Sequence, residues 1–104
     1  MFGKESLEIK GSYGAQIKYN DIYRVDTLTQ LPSVELRTDG FSFKNYRKGN
    51  FKLSIIGDAK LFVNTAVPLF VQLTLKNKEI IFINMKDYLS TEELYSELEA
   101  KIIK

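Results

Sequence analysis

The stretch LSTEELYSELEAKIIK (residues 89–104) decides how the rest of this chain is read. Leu94, Leu98 and Ile102 recur every four residues with Tyr95 beside them, so a helix here carries one apolar stripe that must be buried. Ser90 is placed as an N-cap with Glu93 three positions on, a capping-box pattern, and Leu89 is placed to close over Leu94 as a hydrophobic staple. Glu92 and Glu93 lie at the positive end of the helix dipole, Lys101 and Lys104 at the negative end. Together these signals predict a single helix over about residues 91–103.

Everything before it reads as strands. The segments 7–9, 15–19 and 22–28 carry strand signals, with Ile17 and Tyr19 on one face and Ile22, Val25 and Leu28 as the apolar positions of the third. Asp39-Gly40 separates 34–37 from 41–43, and Gly57-Asp58 separates 51–56 from 59–63; both dipeptides suit tight hairpins, because Gly reaches positive φ without steric cost. A third hairpin joins 69–75 to 79–84 across Lys76-Asn77-Lys78, with Asn77 in the left-handed position. Pro32 and Pro68 lack an amide proton and belong at strand beginnings or edges.

The 104 residues fit one domain, 1–104, with no repeat or Pro/Gly/Ser-rich linker to divide it. Hydrophobic residues make up 44% of the chain and thirteen are Phe or Tyr, enough to fill a core without metal or disulfide. The absence of Cys, and an N-terminus without the apolar run of a signal peptide, favour a cytoplasmic location. The longest apolar stretches, 65–71 and 80–83, are far short of the ~20 residues that span a bilayer. Net charge is +2, too small for a global field that would attract nucleic acid. With no His and no Cys, neither a Ser-His or Cys-His nucleophile pair nor the usual zinc sites can be built. No enzyme activity, catalytic residue, cofactor or metal is expected.

A meander of strands leaves an apolar face or an open barrel mouth, and a terminal helix with one apolar stripe is suited to plugging it. An OB-fold normally places its helix between the third and fourth strands, and doubly wound folds need helices throughout. The expected fold is therefore mainly β, an open barrel of about seven antiparallel strands over 7–84 capped by one C-terminal α-helix. Particular residues add to this: Ile17, Tyr19, Asp21-Ile22 and Val25, then Leu31-Pro32, Arg37-Thr38-Asp39-Gly40, Lys48-Gly49-Asn50-Phe51 with Leu53, and Gly57, Ala59 and Leu61-Phe62-Val63. In these the chain resembles the small bacterial pleckstrin-homology-like (PH-like) domain families, and with the later hairpin and the helix the likeness covers nearly its whole length. The resemblance implies a PH-like barrel. Phosphoinositide-binding PH domains carry a Lys/Arg-x-Arg triplet in their first strand pair; here residues 7–28 hold only Lys10, Lys18 and Arg24, so inositol phosphate recognition does not carry over.

The strongest local charge feature lies in residues 37–52, where Arg37, Lys44, Arg47, Lys48 and Lys52 stand against Asp39 alone, with Phe41, Phe43, Tyr46 and Phe51 interleaved. In alternating strands the aromatics point into the core and the basic side chains into water. A contact with an anionic membrane or a phosphate ligand is the sharper reading of the same residues. Glu92, Glu93, Glu97 and Glu99 make the outer helix face acidic, which reads as a solvated face compatible with the helix dipole or, alternatively, as a surface for the basic hairpin of a second copy. Tyr19 and Tyr95 read as core-edge residues with their hydroxyls in water. Gly11-Ser12-Tyr13-Gly14 reads as a turn, since no Gly-Lys-Ser/Thr follows. The functional expectation is a non-enzymatic interaction or scaffold module that binds a protein partner or further copies of itself, with peripheral contact to an anionic membrane as the alternative.

Overall fold

The computed structural model describes residues 2–9 and 14–102, with Phe41 by its backbone only. The chain runs β1 (Ser6–Ile9), β2 (Ala15–Lys18), a 3-10 turn (Tyr19–Asp21), β3 (Ile22–Leu28), β4 (Val34–Phe43), β5 (Tyr46–Leu53), β6 (Gly57–Asn64), β7 (Phe70–Leu75), β8 (Ile80–Ile83) and α1 (Tyr88–Ile102). β1 and β2 form a ribbon, and the other six strands form one sheet in the order β3-β7-β8-β6-β5-β4. Pairing is antiparallel except between β6 and β8, which run parallel with Leu61 opposite Phe82. The architecture is mainly β, an open barrel capped by one helix, as the resemblance implied. The turn expected at Gly11-Ser12-Tyr13-Gly14 lies largely outside the described residues.

The sheet curls because its two edge strands are consecutive in sequence. β3 and β4 lie at opposite edges, yet only residues 29–33 connect them. The six residue steps from Leu28 to Val34 reach at most roughly 20–22 Å, whereas the edges of a flat six-stranded sheet lie roughly 24 Å apart. Curling brings the edges together at that end and encloses Phe51, Leu53, Leu61, Phe70 and Phe82, with Leu28 and Leu31 of the closing segment packed on them. The opposite face is covered by the β1–β2 ribbon and by α1, which packs on β3 and β7. Leu7, Ile17, Val71, Leu73, Ile81, Leu94 and Leu98 make the core there. β8 is buried on both faces, which explains its unbroken apolar run Ile80-Ile81-Phe82-Ile83.

Spacing alone misleads in β3. Ile22 and Val25, three apart, would face opposite sides of a regular strand, but a register shift between Ile22 and Arg24 returns both to the helix-covered core. The helix starts three residues earlier than its capping box suggested. Asp87, not Ser90, is the cap: its Oδ1 accepts the Ser90 N–H at 2.8 Å, and its carbonyl accepts the Thr91 N–H at 3.1 Å. Hydrogen bonds from the Ser90 backbone and hydroxyl, with Lys86 nearby, hold the Asp87 carboxyl below the usual carboxylate range. Leu89 is exposed and makes no staple. Thr91 seats the first turn instead, fully buried, with its Oγ1 donating to the Asp87 carbonyl and accepting the Met85 N–H.

Two hairpins turn elsewhere than their glycines suggested. β4 runs unbroken through Asp39-Gly40, and the chain reverses at Lys44-Asn45, where Lys44 takes φ 52°. Gly40 serves a close approach: it faces Gly49, and a Cβ on Gly40 would stand 2.3 Å from the Lys48 carbonyl oxygen. The next reversal uses Ser54-Ile55-Ile56, with Gly57 at φ 86° as the first residue of β6. At the β7–β8 hairpin the positive φ falls on Lys78, while Asn77 contributes through its side chain, Oδ1 accepting the Glu79 N–H.

Asn84 holds the crossover from β6 to β7. Its Oδ1 accepts the Asn64 N–H at 2.8 Å, and its Nδ2 donates to the carbonyls of Asn64 and Leu69. Replacing Asn84 with Ala strands these partly buried groups, and urea denaturation is expected to show a loss of about 1–3 kcal/mol. A loss below about 0.5 kcal/mol would mean that water replaces the amide at no cost.

Candidate functional site at the β4–β5 hairpin

The two-residue turn at Lys44-Asn45 places Phe43 directly opposite Tyr46. The two rings are 62% and 48% exposed, so only Phe51 of the interleaved aromatics enters the core among those whose side chains are described. The expected separation of aromatics from basic side chains does not hold: Tyr46 shares its face with Lys48 and Lys52, and Phe51 shares the other with Arg37 and Arg47, because the strand period does not sort the two residue types here and does not say which part of a sheet face is covered. α1 lies over β3 and β7, at the far side of the strand order, leaving the same face of β5 and β4 open. Lys44 Nζ sits 5.5 Å from the centre of the Phe43 ring.

The five basic residues of 37–52 do not form one patch. Register places Lys48 and Lys52 on the face of Phe62 and Tyr46, four residues apart and so separated by about 13 Å. Arg37 stands opposite Phe51 and Arg47 opposite Val63, both on the other face. The Arg47 guanidinium folds back on its own turn, Nη1 donating to the Lys44 carbonyl at 2.8 Å and the Tyr46 carbonyl at 2.9 Å. It stiffens the tip.

The fold instead brings in residues that sequence reasoning passed over. Tyr46, Lys48, Phe62, Met85 and Lys86 line a shallow concavity of about 250 Å³ between the hairpin and the loop leading into α1. Lys86 thus joins Lys48 beside the exposed Tyr46 ring. No local pattern links residue 86 to residue 46; only the β6–β8 pairing and the Asn84 clamp bring that loop beside β5. Away from this site, Glu92, Glu93 and Glu97 are exposed on the outer helix face, whereas Glu99 of the same set is half-buried beside Tyr95.

Of the two core-edge tyrosines, Tyr19 is buried and its hydroxyl, rather than meeting water, donates to the Gly3 carbonyl at 2.8 Å. Burial first, then Glu97 and Glu8, push its phenol above the usual value. Tyr95 is half-buried, and burial and Glu99 raise its phenol as well. Among the described residues no helix is long and apolar enough to cross a membrane, and no three acidic side chains converge on a potential metal position.

No curated protein and no solved structure matches the chain. A family model described as a bacterial PH domain matches residues 1–101. That match spans the ribbon, the curled sheet and nearly all of the capping helix, and the chain belongs to the bacterial PH domain family.

Proposed function

We propose that this domain is a non-enzymatic binding module whose contact surface is the tip of the β4–β5 hairpin, and that this tip meets an anionic membrane surface. Membership of a PH domain family points to a binding or scaffold role and away from catalysis. The observation that carries the finer reading is the outward placement of Phe43 and Tyr46 beside Lys44 and Lys48. Aromatic rings are suited to the headgroup boundary, and lysines beside them gain from a negative surface potential.

Liposome flotation tests it. Binding is expected with anionic and not neutral vesicles, falling as salt rises. Lys44→Gln/Lys48→Gln removes two lysines worth about 1 kcal/mol each, which lowers partitioning about thirtyfold. Phe43→Ala/Tyr46→Ala should weaken binding without changing its salt slope. Absence of flotation at low salt defeats the membrane reading.

A second reading is favoured by the free edge of β4, which pairs only with β5 and leaves Val34 and Leu36 exposed. A protein strand, or β4 of another copy, would extend the sheet there. Register shifts near residues 35 and 38 leave 40–43 as its regular segment. Concentration-dependent self-association that is insensitive to salt, seen by sedimentation, would favour this reading over the membrane.

A further inference from the structure

Three lysines from separate parts of the chain converge at the other end of α1. Lys4 precedes β1, Lys18 ends β2 and Lys101 lies in the last helical turn; with Glu5, Tyr19 and Asn20 they line a concavity of about 250 Å³. Three lysines against one glutamate leave that lining with a net charge of +2. The ion pairs among the described residues are Arg24–Asp26 and Lys60–Glu79, so within that set none of the three ammonium groups has a carboxylate at salt-bridge distance.

Lys101 is held without being neutralised. Its Nζ lies 5.7 Å from the centre of the Phe2 ring and 5.5 Å from that of Tyr19. Aromatic faces attract an ammonium group but leave its charge to act on a further anion. The wall behind it is fixed: the Tyr19 N–H donates to the Glu5 carbonyl at 3.0 Å, its hydroxyl holds the Gly3 carbonyl, and Phe2 bridges to Leu7. The negative pole of the helix favours a cation at this position. The opposing charges are Glu5 in the lining and Glu8 and Glu97 close to the Tyr19 ring. They lower the field without pairing the lysines.

We propose that Lys4, Lys18 and Lys101 form a binding site for a dianionic phosphate group, independent of the hairpin tip. Three ammonium donors around a small concavity match the charge and the several acceptor oxygens of such a group. The α1 helix separates the two sites by about 20 Å, so they can be tested apart.

The test is titration with inorganic pyrophosphate and inorganic phosphate at low salt, followed by amide NMR shifts. Saturable shifts are expected around residues 4, 18–20 and 101. Lys18→Gln and Lys101→Gln should each weaken binding about tenfold, one charge-assisted hydrogen bond apiece. Lys101→Arg retains the charge and most of the affinity, which separates loss of charge from loss of fold, and Lys48→Gln/Lys86→Gln leaves affinity unchanged. In a Lys44→Gln/Lys48→Gln background, which weakens the hairpin-tip contact, flotation with phosphatidic acid vesicles that pyrophosphate competes away, and that Lys18→Gln lowers about tenfold, places the phosphate on a lipid headgroup. Pyrophosphate binding without such flotation places it on a soluble ligand. Shifts that fail to saturate, or that weaken equally in Lys48→Gln/Lys86→Gln, overturn the site.

Discussion

Phe82→Ala is expected to lower the unfolding free energy by about 3–5 kcal/mol, the range for a large aromatic removed from a packed interior. Phe82 has no exposed surface, and β8 lies between β7 and β6, so both flanking strands hold it in place. Leu61 and Gln72 stand opposite it in register, and Phe51, Leu53 and Phe70 complete the enclosed cluster. No helix covers this face; the curled sheet covers itself. Collapse into the vacated space would require the curl to tighten around side chains already packed together, Leu28 and Leu31 among them, so most of the cavity should persist. Urea denaturation reads the effect as a lower midpoint with an unchanged slope. A loss below about 1 kcal/mol would mean that the sheet closes freely around the vacated space.

Leu98→Ala should follow at about 2–5 kcal/mol. Leu98 is fully buried, and with Leu94 and Thr91 it forms the stripe by which α1 rests on β3 and β7. The same substitution tests the capping role of the helix, since a helix lying loosely on the sheet would lose little. A change below about 1 kcal/mol would show that the β1–β2 ribbon covers that face without help from α1.

The chain states its own local order clearly. The four-residue recurrence of Leu94, Leu98 and Ile102 forces a helix with one buried face, because only a 3.6-residue turn brings those positions together. The unbroken Ile80–Ile83 run and the alternation at Val71, Leu73 and Leu75 identify the strands that became the centre of the sheet. Period and composition are local properties, and local sequence suffices to read them. The capping box was a weaker guide, because Asp87 offers a carboxylate where Ser90 offers a hydroxyl, and the cap went to the position that Thr91 also ties down.

Turn glycines were ambiguous for a physical reason. Gly40 and Gly57 both promised positive φ, but a glycine also permits two backbones to approach, and nothing near Gly40 in sequence reveals Gly49 across the ladder. The candidate sites depended still more on distant pairing. Which aromatics are exposed follows from where α1 settles, and α1 settles over β3 and β7 because the ribbon and the curl leave that face to fill. Lys86 reaches Tyr46 only through the parallel β6–β8 pairing, and Lys4, Lys18 and Lys101 meet only when the ribbon closes on the end of the helix. The sequence by itself determined the terminal helix and the strands β7 and β8 with their apolar positions, since those rest on short-range periodicity. The tertiary structure decided which charges stand together and which rings stay in water, since those rest on contacts between residues far apart in the chain.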